Sequence, residues 1–397
     1  MQLRSRLRLA LVAALVLTGC SALIGVNDIF LDPSAGGPGG TDSSLEGSAT
    51  DAPLAETGGE GGTCNTDLQI DKANCGRCGH DCLGGDCKAG LCQVIALAGS
   101  LAAPGALALD DVNVYISTVN GGTVLRIAKT GGKVDTLVTG WSSLVGVAVS
   151  GTTLFWSADD TLGDAGDGNF GGVWKCTLPA CTDKKLVSLV GRTRHLDVKN
   201  GYLYYASDSD IRRMKVDGTG DQSLITGLTE PFSVSADATH VYYNSNQNSL
   251  ERVPIAGGTG EAVGPLVSSF YGFVTNDSQR FYWAFTDLNG KGQVIGALKS
   301  APATRTTYGT KNLRSLGVLS DEKNLYWSNE GTVSGIDSNG DGEVLSCPVT
   351  GCVGDPVRLV DQLHFAGALV MDAQAIYLLE FGGRSGANGR LLKMAKL

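Results

Sequence analysis

A short run of small and apolar residues, followed eight positions later by an aromatic, recurs seven times between residues 93 and 397. The apolar markers are Leu107, Val147, Leu196, Val234, Phe273, Val318 and Leu369; the aromatics are Tyr115, Phe155, Tyr204, Tyr242, Phe281, Tyr326 and Tyr377. Successive markers stand 40, 49, 38, 39, 45 and 51 residues apart. A repeat of that length, with strand-type patterning, cannot bury its apolar face alone, and it predicts a ring of four-stranded sheets. The fold class is therefore all-β, a seven-bladed β-propeller over 93–397. The low share of charged residues, 18%, and the 56 glycines suit a turn-rich β protein.

The remainder of each unit follows the same plan. A third strand opens on glycine, as in Gly122-Thr123-Val124, Gly172-Val173-Trp174, Gly292-Gln293-Val294 and Gly342-Glu343-Val344. Tight turns such as Thr130-Gly131-Gly132 and Ala256-Gly257-Gly258 then lead to a fourth strand such as Asp135–Val138. After Tyr377 the chain has one more strand, Arg390 to Met394, and stops one short of a blade. Val94-Ile95-Ala96-Leu97 matches the missing fourth strand, so the N-terminal strand is expected to complete the last blade and leave no open edge. Cys176-x4-Cys181 and Cys347-x4-Cys352 fall on the third-to-fourth-strand hairpin, where two cysteines come within disulfide distance.

Tyr326-Trp327-Ser328, Phe155-Trp156-Ser157 and Tyr282-Trp283-Ala284 resemble the second-strand motif of the YWTD/NHL-like class of propeller. That class typically has six blades where this sequence has seven, so its receptor function does not transfer. The aromatic positions are explained first by packing between blades.

The N-terminus carries Arg4, Arg6 and Arg8, an apolar run from Leu9 to Leu17, and then Leu17-Thr18-Gly19-Cys20. A basic head, a short apolar stretch and small residues before a cut are the parts of a secretory signal, and the run is short of the 20 or so residues that span a bilayer. The site resembles the bacterial lipoprotein signal. The resemblance implies that residues 1–19 are removed, that the Cys20 thiol takes a diacylglycerol, and that its freed amine is acylated. Ser21 in place of Asp leans towards the outer membrane. Loss of three arginines takes the formal charge from −9 to −12. So acidic a protein is a poor partner for nucleic acid.

Residues 20–63 form the expected lipidated start and a linker. From 33 to 63 the linker is Gly, Ser, Thr, Pro and acidic, without an aromatic, and cannot offset its ordering entropy. Six cysteines follow within 64–92: Cys64, Cys75, Cys78, Cys82, Cys87 and Cys92. Cys75-x-x-Cys78 has the spacing of half a zinc site. An even count in an exported module favours three disulfides, in any of 15 connectivities. The run Asn74 to Cys82, closing on Gly90-Leu91-Cys92, resembles small Cys-rich repeats of secreted proteins, including the Stig-type family, and implies no activity.

On the ring, turns joining strands one to two and three to four share one face, here the turn face. Two-to-three loops and blade connections share the other, the loop face, which carries the longer insertions, and binding concentrates on such loops. One insertion holds Asp159, Asp160, Asp164 and Asp167. Another, Asp337-Ser338-Asn339-Gly340-Asp341-Gly342-Glu343, matches the first half of a calcium loop, with Asp337, Asn339, Asp341 and Glu343 as candidate ligands. It departs at Pro348, where a bidentate Glu belongs, and a solvated Asp/Asn/Gly turn is the competing reading. Trp141, Arg194, His195, Phe232, Tyr271, Arg314, His364 and Phe365 precede inner strands and are candidates for a ring around the channel mouth, beside Arg192 and Phe270. Such a set suits a carbohydrate, peptide or anionic ligand, or equally packs the channel. The leading expectation is a lipid-anchored envelope protein whose propeller is a binding scaffold for a protein, glycan or small molecule. Competing expectations are a lyase- or lactonase-type enzyme using His195 and His364 with a metal, and a purely structural envelope protein. The four histidines and the absence of a Ser nucleophile motif weigh against the enzyme.

Overall fold

The computed structural model describes residues 64–397 except 142, 159–170, 246–248, 265–268, 271, 288–289, 310, 335–336 and 383–387. Cys20, the signal and linker, the acidic stretch Asp159 to Asp167, and Tyr271 thus lie outside the described residues.

Seven antiparallel sheets form the ring, in which consecutive strands pair from the axis outwards. The inner strands of blades 1 to 7 are Pro104–Leu109, Leu144–Ser150, Thr193–Lys199, Val234–Ala236, Val274–Asn276, Ser315–Ser320 and Ala366–Met371. Blade 7 takes its outer strand from the start of the domain. Ile95–Leu101 pairs antiparallel with Gly389–Ala395, with Ile95 opposite Lys393 and Leu101 opposite Gly389. The closure expected from the sequence is the one observed.

The repeat register needs one correction. In six blades the marker residue lies opposite the residue after the aromatic, as Leu107 lies opposite Ile116 and Val318 opposite Trp327. In blade 5 the residue in that place is Val274, opposite Trp283, and its aromatic is Tyr282. Phe273 and Phe281 sit one position early. Both pairs satisfy the eight-residue offset, because Phe281-Tyr282-Trp283 supplies an aromatic in either register.

Two side-chain devices repeat around the ring. At the first-to-second turn, an Asp accepts the N–H groups two and three residues on: Asp110 from Val112 and Asn113, Asp277 from Gln279 and Arg280, Asp321 from Lys323 and Asn324, Asp372 from Gln374 and Ala375. These are Asx-turns. The Tyr five residues after each Asp donates its hydroxyl to the same carboxylate, at 2.6 Å for Tyr115 and Tyr282. The second device joins blades. Ser117, Ser157 and Ser328, two residues after the aromatic, donate to Val145, Arg194 and Gly367 carbonyls of the next inner strand. Asn244 does the same to Gly272. The blades approach so closely there that a Cβ on Gly317 would lie 2.7 Å from the Gly367 carbonyl oxygen, and one on Gly146 2.3 Å from that of Arg194. Between the blades the aromatics are buried, with Trp156, Trp283, Trp327, Tyr326 and Tyr377 among the least accessible side chains.

All ten described cysteines are paired. The module forms Cys64–Cys78, Cys75–Cys87 and Cys82–Cys92, and the hairpins form Cys176–Cys181 and Cys347–Cys352 with Cα separations of 4.9 and 5.1 Å. The cluster Cys75, Cys82 and Cys92 is thus engaged in disulfides, and the zinc reading of Cys75-x-x-Cys78 falls. The module is seated on blade 7. Ala395 packs into its disulfide core, Leu83 packs against the ring, and His80 lies 2.6 Å from both the Cys75 and the Lys396 carbonyl oxygens through its two ring nitrogens.

Candidate functional site

A cavity of about 420 Å³ runs along the ring axis, and all seven inner strands line it. Its wall is Ala, Val, Leu, Met and Phe, with Ser235 and Thr275 adding hydroxyls and blade 3 adding His195 and Asp197. Most inner strands begin buried and end partly exposed, as in Ser315–Ser320 and Ala366–Met371. The cavity therefore opens towards the turn face, not towards the long loops.

His195 and Asp197 are two apart on one strand, so they point to the same side. His195 Nδ1 accepts the Val234 N–H at 3.3 Å, and Asp197 Oδ2 accepts the Ala236 N–H at 2.7 Å. Each therefore bonds to the backbone of blade 4. The blade 3 second strand has Ala206 where blades 1, 2 and 6 carry the bridging Ser, and these two inner-strand side chains supply bonds across the junction instead. With Nδ1 accepting, the ring proton sits on Nε2. Burial pushes the imidazole down to about 4. Burial likewise raises the Asp197 carboxyl, against the Ala236 N–H and the Lys199 charge. The ring of His195 meets Phe273 edge-on at 5.4 Å, and Phe273 meets Phe232 at 5.6 Å.

Of the seven described residues among the eight expected at the mouth, His195 alone lines this cavity. Arg194 points the other way along the strand. It is buried, with its guanidinium 5.9 Å from the Phe232 ring centroid. Trp141 is buried between blades 1 and 2, edge-on to Trp174 at 4.9 Å and to Trp156 at 6.1 Å. Phe365 belongs to the core with Leu316, Leu379 and Phe381. Arg314 pairs with the buried Glu330 at 2.8 Å. His364 is exposed beside Gly340, outside the cavity lining, and its N–H donates to Glu380, which also pairs with Arg390. The structure thus does not bring His195 and His364 together.

The expected calcium loop is a small hairpin, Val333–Ser334 against Asp337–Ser338. Asp341 accepts the N–H and hydroxyl of Thr332 at 2.8 and 2.6 Å, and the Asn339 amide donates to the same hydroxyl. Glu343 turns away to accept from Asn329 at 3.1 Å and from Arg358 at 2.9 Å. The Asp337 side chain lies outside what is described. Sequence reasoning missed Asp197, whose signal was an acidic residue on an inner strand where other blades carry Ala108, Ala148 or Val370.

No protein-family model and no curated protein matches the sequence. Similar solved structures are propellers of low identity. One described as YCF48 bound to D1 peptide is 13% identical at a TM-score of 0.55, over 77% of this chain and 95% of that one. A nidogen/laminin complex is 13% identical at 0.44, over 60% and 90%, and the computationally designed Ika8 protein 12% identical at 0.49, over 75% and 98%. The first of these similarities shows the fold and nothing of the ligand.

Proposed function

We propose that this chain is an exported protein, lipid-anchored at Cys20 in the outer membrane, whose propeller is a recognition scaffold with the axial cavity as its ligand site. The observation that carries the reading is that cavity, which has the size of a small-molecule pocket and a surface shared about equally between aliphatic side chains and polar groups. Support for export comes from five disulfides, which belong to an oxidising compartment. They account for ten of the eleven cysteines and leave Cys20, at the end of the signal, outside the pairing. Among the described residues no helix is long and apolar enough to cross a membrane, so the acyl chains would hold the protein there.

One experiment tests both parts. The full chain, carrying a photoreactive residue in place of Met371 at the cavity rim, is irradiated in cells and then partitioned between detergent and water. A discrete adduct on protein in the detergent phase, moving to the aqueous phase with Cys20→Ala, is the expected result. An unmodified protein overturns the scaffold reading, and unchanged partition of the Cys20 variant overturns the anchor.

A further inference from the structure

The axial cavity holds a carboxyl at a position where the other six inner strands carry an uncharged residue. Among the described residues that line it, Asp197 is the sole carboxylate, and no lysine or arginine accompanies it. Joining blade 3 to blade 4 takes only one of its oxygens, Oδ2 on the Ala236 N–H. Elsewhere a hydroxyl joins blades, as Ser157 and Ser328 do, at far lower desolvation cost than a charge. The Val198 N–H also favours the ionised carboxyl, and no side chain among the described residues donates to it. The carboxyl therefore faces a cavity lined by no lysine or arginine, and the one charge that favours its ionised form is that of Lys199, two residues along the strand.

We infer that the cavity binds a small organic cation, a primary ammonium on an apolar body, with the ammonium on Asp197 Oδ1 and the body against the aliphatic wall. The inference rests on the reading of this cavity as the ligand site and names its chemistry. An ammonium supplies a charge-assisted hydrogen bond that no side chain lining the cavity provides, and in a buried setting that bond is stronger than in water. His195 Nε2–H is a donor. It repels an ammonium from the neighbouring position and suits a hydroxyl or carbonyl on the ligand, which gives the site a direction. The acidic net charge of the chain draws cations towards it. Burial, which raises the empty carboxyl, is relieved once the pair forms.

The test is calorimetric titration of the full chain in detergent with three molecules of one shape and different charge: 2-phenylethylammonium, 2-phenylethanol and phenylacetate. The ammonium should bind about tenfold or more tightly than the alcohol, the ratio one charge-assisted hydrogen bond provides, and phenylacetate should bind least. Asp197→Asn should bring the ammonium down to the level of the alcohol, and its unliganded melting temperature should equal or exceed the parent's. Asp197→Ser, which keeps a hydroxyl for Ala236, serves as the second variant should the first fold poorly. Equal binding of ammonium and alcohol, binding of none, or a preference that survives both variants overturns the inference. An adduct at Met371 with no ammonium preference would overturn the cation alone and leave the scaffold standing.

Discussion

His195 and Asp197 show how a residue can serve a junction and still change its energetics. The unfolded imidazole titrates near 6.5 and the native one near 4. Between those values the unfolded chain binds a proton that the native ring refuses. Stability contributed by the neutral ring is complete above about 6.5 and is lost as pH falls towards 4, at up to about 1.4 kcal/mol per pH unit. Asp197 acts in the opposite sense, because its raised native value favours the protonated form. Urea unfolding of the parent and of His195→Gln at pH 7 and pH 5 should show a larger loss in the parent, and parallel losses would mean that the ring is solvated. At this scale the sequence was more legible than the apolar markers alone allowed. Asp277 lies five residues before Tyr282, as Asp110, Asp321 and Asp372 do before Tyr115, Tyr326 and Tyr377. That polar spacing settles the blade 5 register, which the aromatic run Phe281-Tyr282-Trp283 left ambiguous.

Elements differ in how tightly they constrain substitution. Ser328→Ala removes one hydroxyl that bonds Gly367 and receives the Gly317 N–H, a loss of about 1–3 kcal/mol for the buried groups left behind. Gly317→Ala puts a Cβ against the neighbouring blade's backbone, which cannot yield as a side chain can. Chemical denaturation should therefore rank Gly317→Ala as the more damaging of the two. On the 333–343 segment, Thr332 holds the Asp341 oxygens that an ion would need. Calorimetric titration with calcium should show tighter uptake in Thr332→Ala than in the parent, and equal heats, or none in either, remove the ion from this loop. The inner and second strands were readable because burial on both faces imposes a strong pattern. The loop-face set was not, since distance before an inner strand says nothing of direction. Trp141 and Phe365 turn into the ring, and Arg314 turns to Glu330.

The whole molecule depends on its closure. Removing residues 390–397 deletes most of the strand between Ala375–Glu380 and Ile95–Leu101, leaving two unpaired edges. Such a chain should accumulate as insoluble protein, and a soluble product with the parent's circular dichroism would contradict the closure. His80→Ala, which cuts the bridge from the module to Lys396, should cost about 0.5–1.5 kcal/mol per hydrogen bond lost in a denaturant titration. The closing strand was legible because the count of strands was one short at one end and one over at the other. The seating of the module was not, because no pattern in 64–92 marks which surface it meets.

That seating decides how the ring bears a pull. Tension on the chain ahead of Cys64 crosses the module through covalent short-cuts, Cys64 to Cys78, Cys75 to Cys87 and Cys82 to Cys92, before it reaches the closing strand. It then runs along Ile95–Leu101, whose bonds to Gly389–Ala395 lie across the line of force. A pull along that strand loads those bonds together in shear instead of unzipping them one at a time.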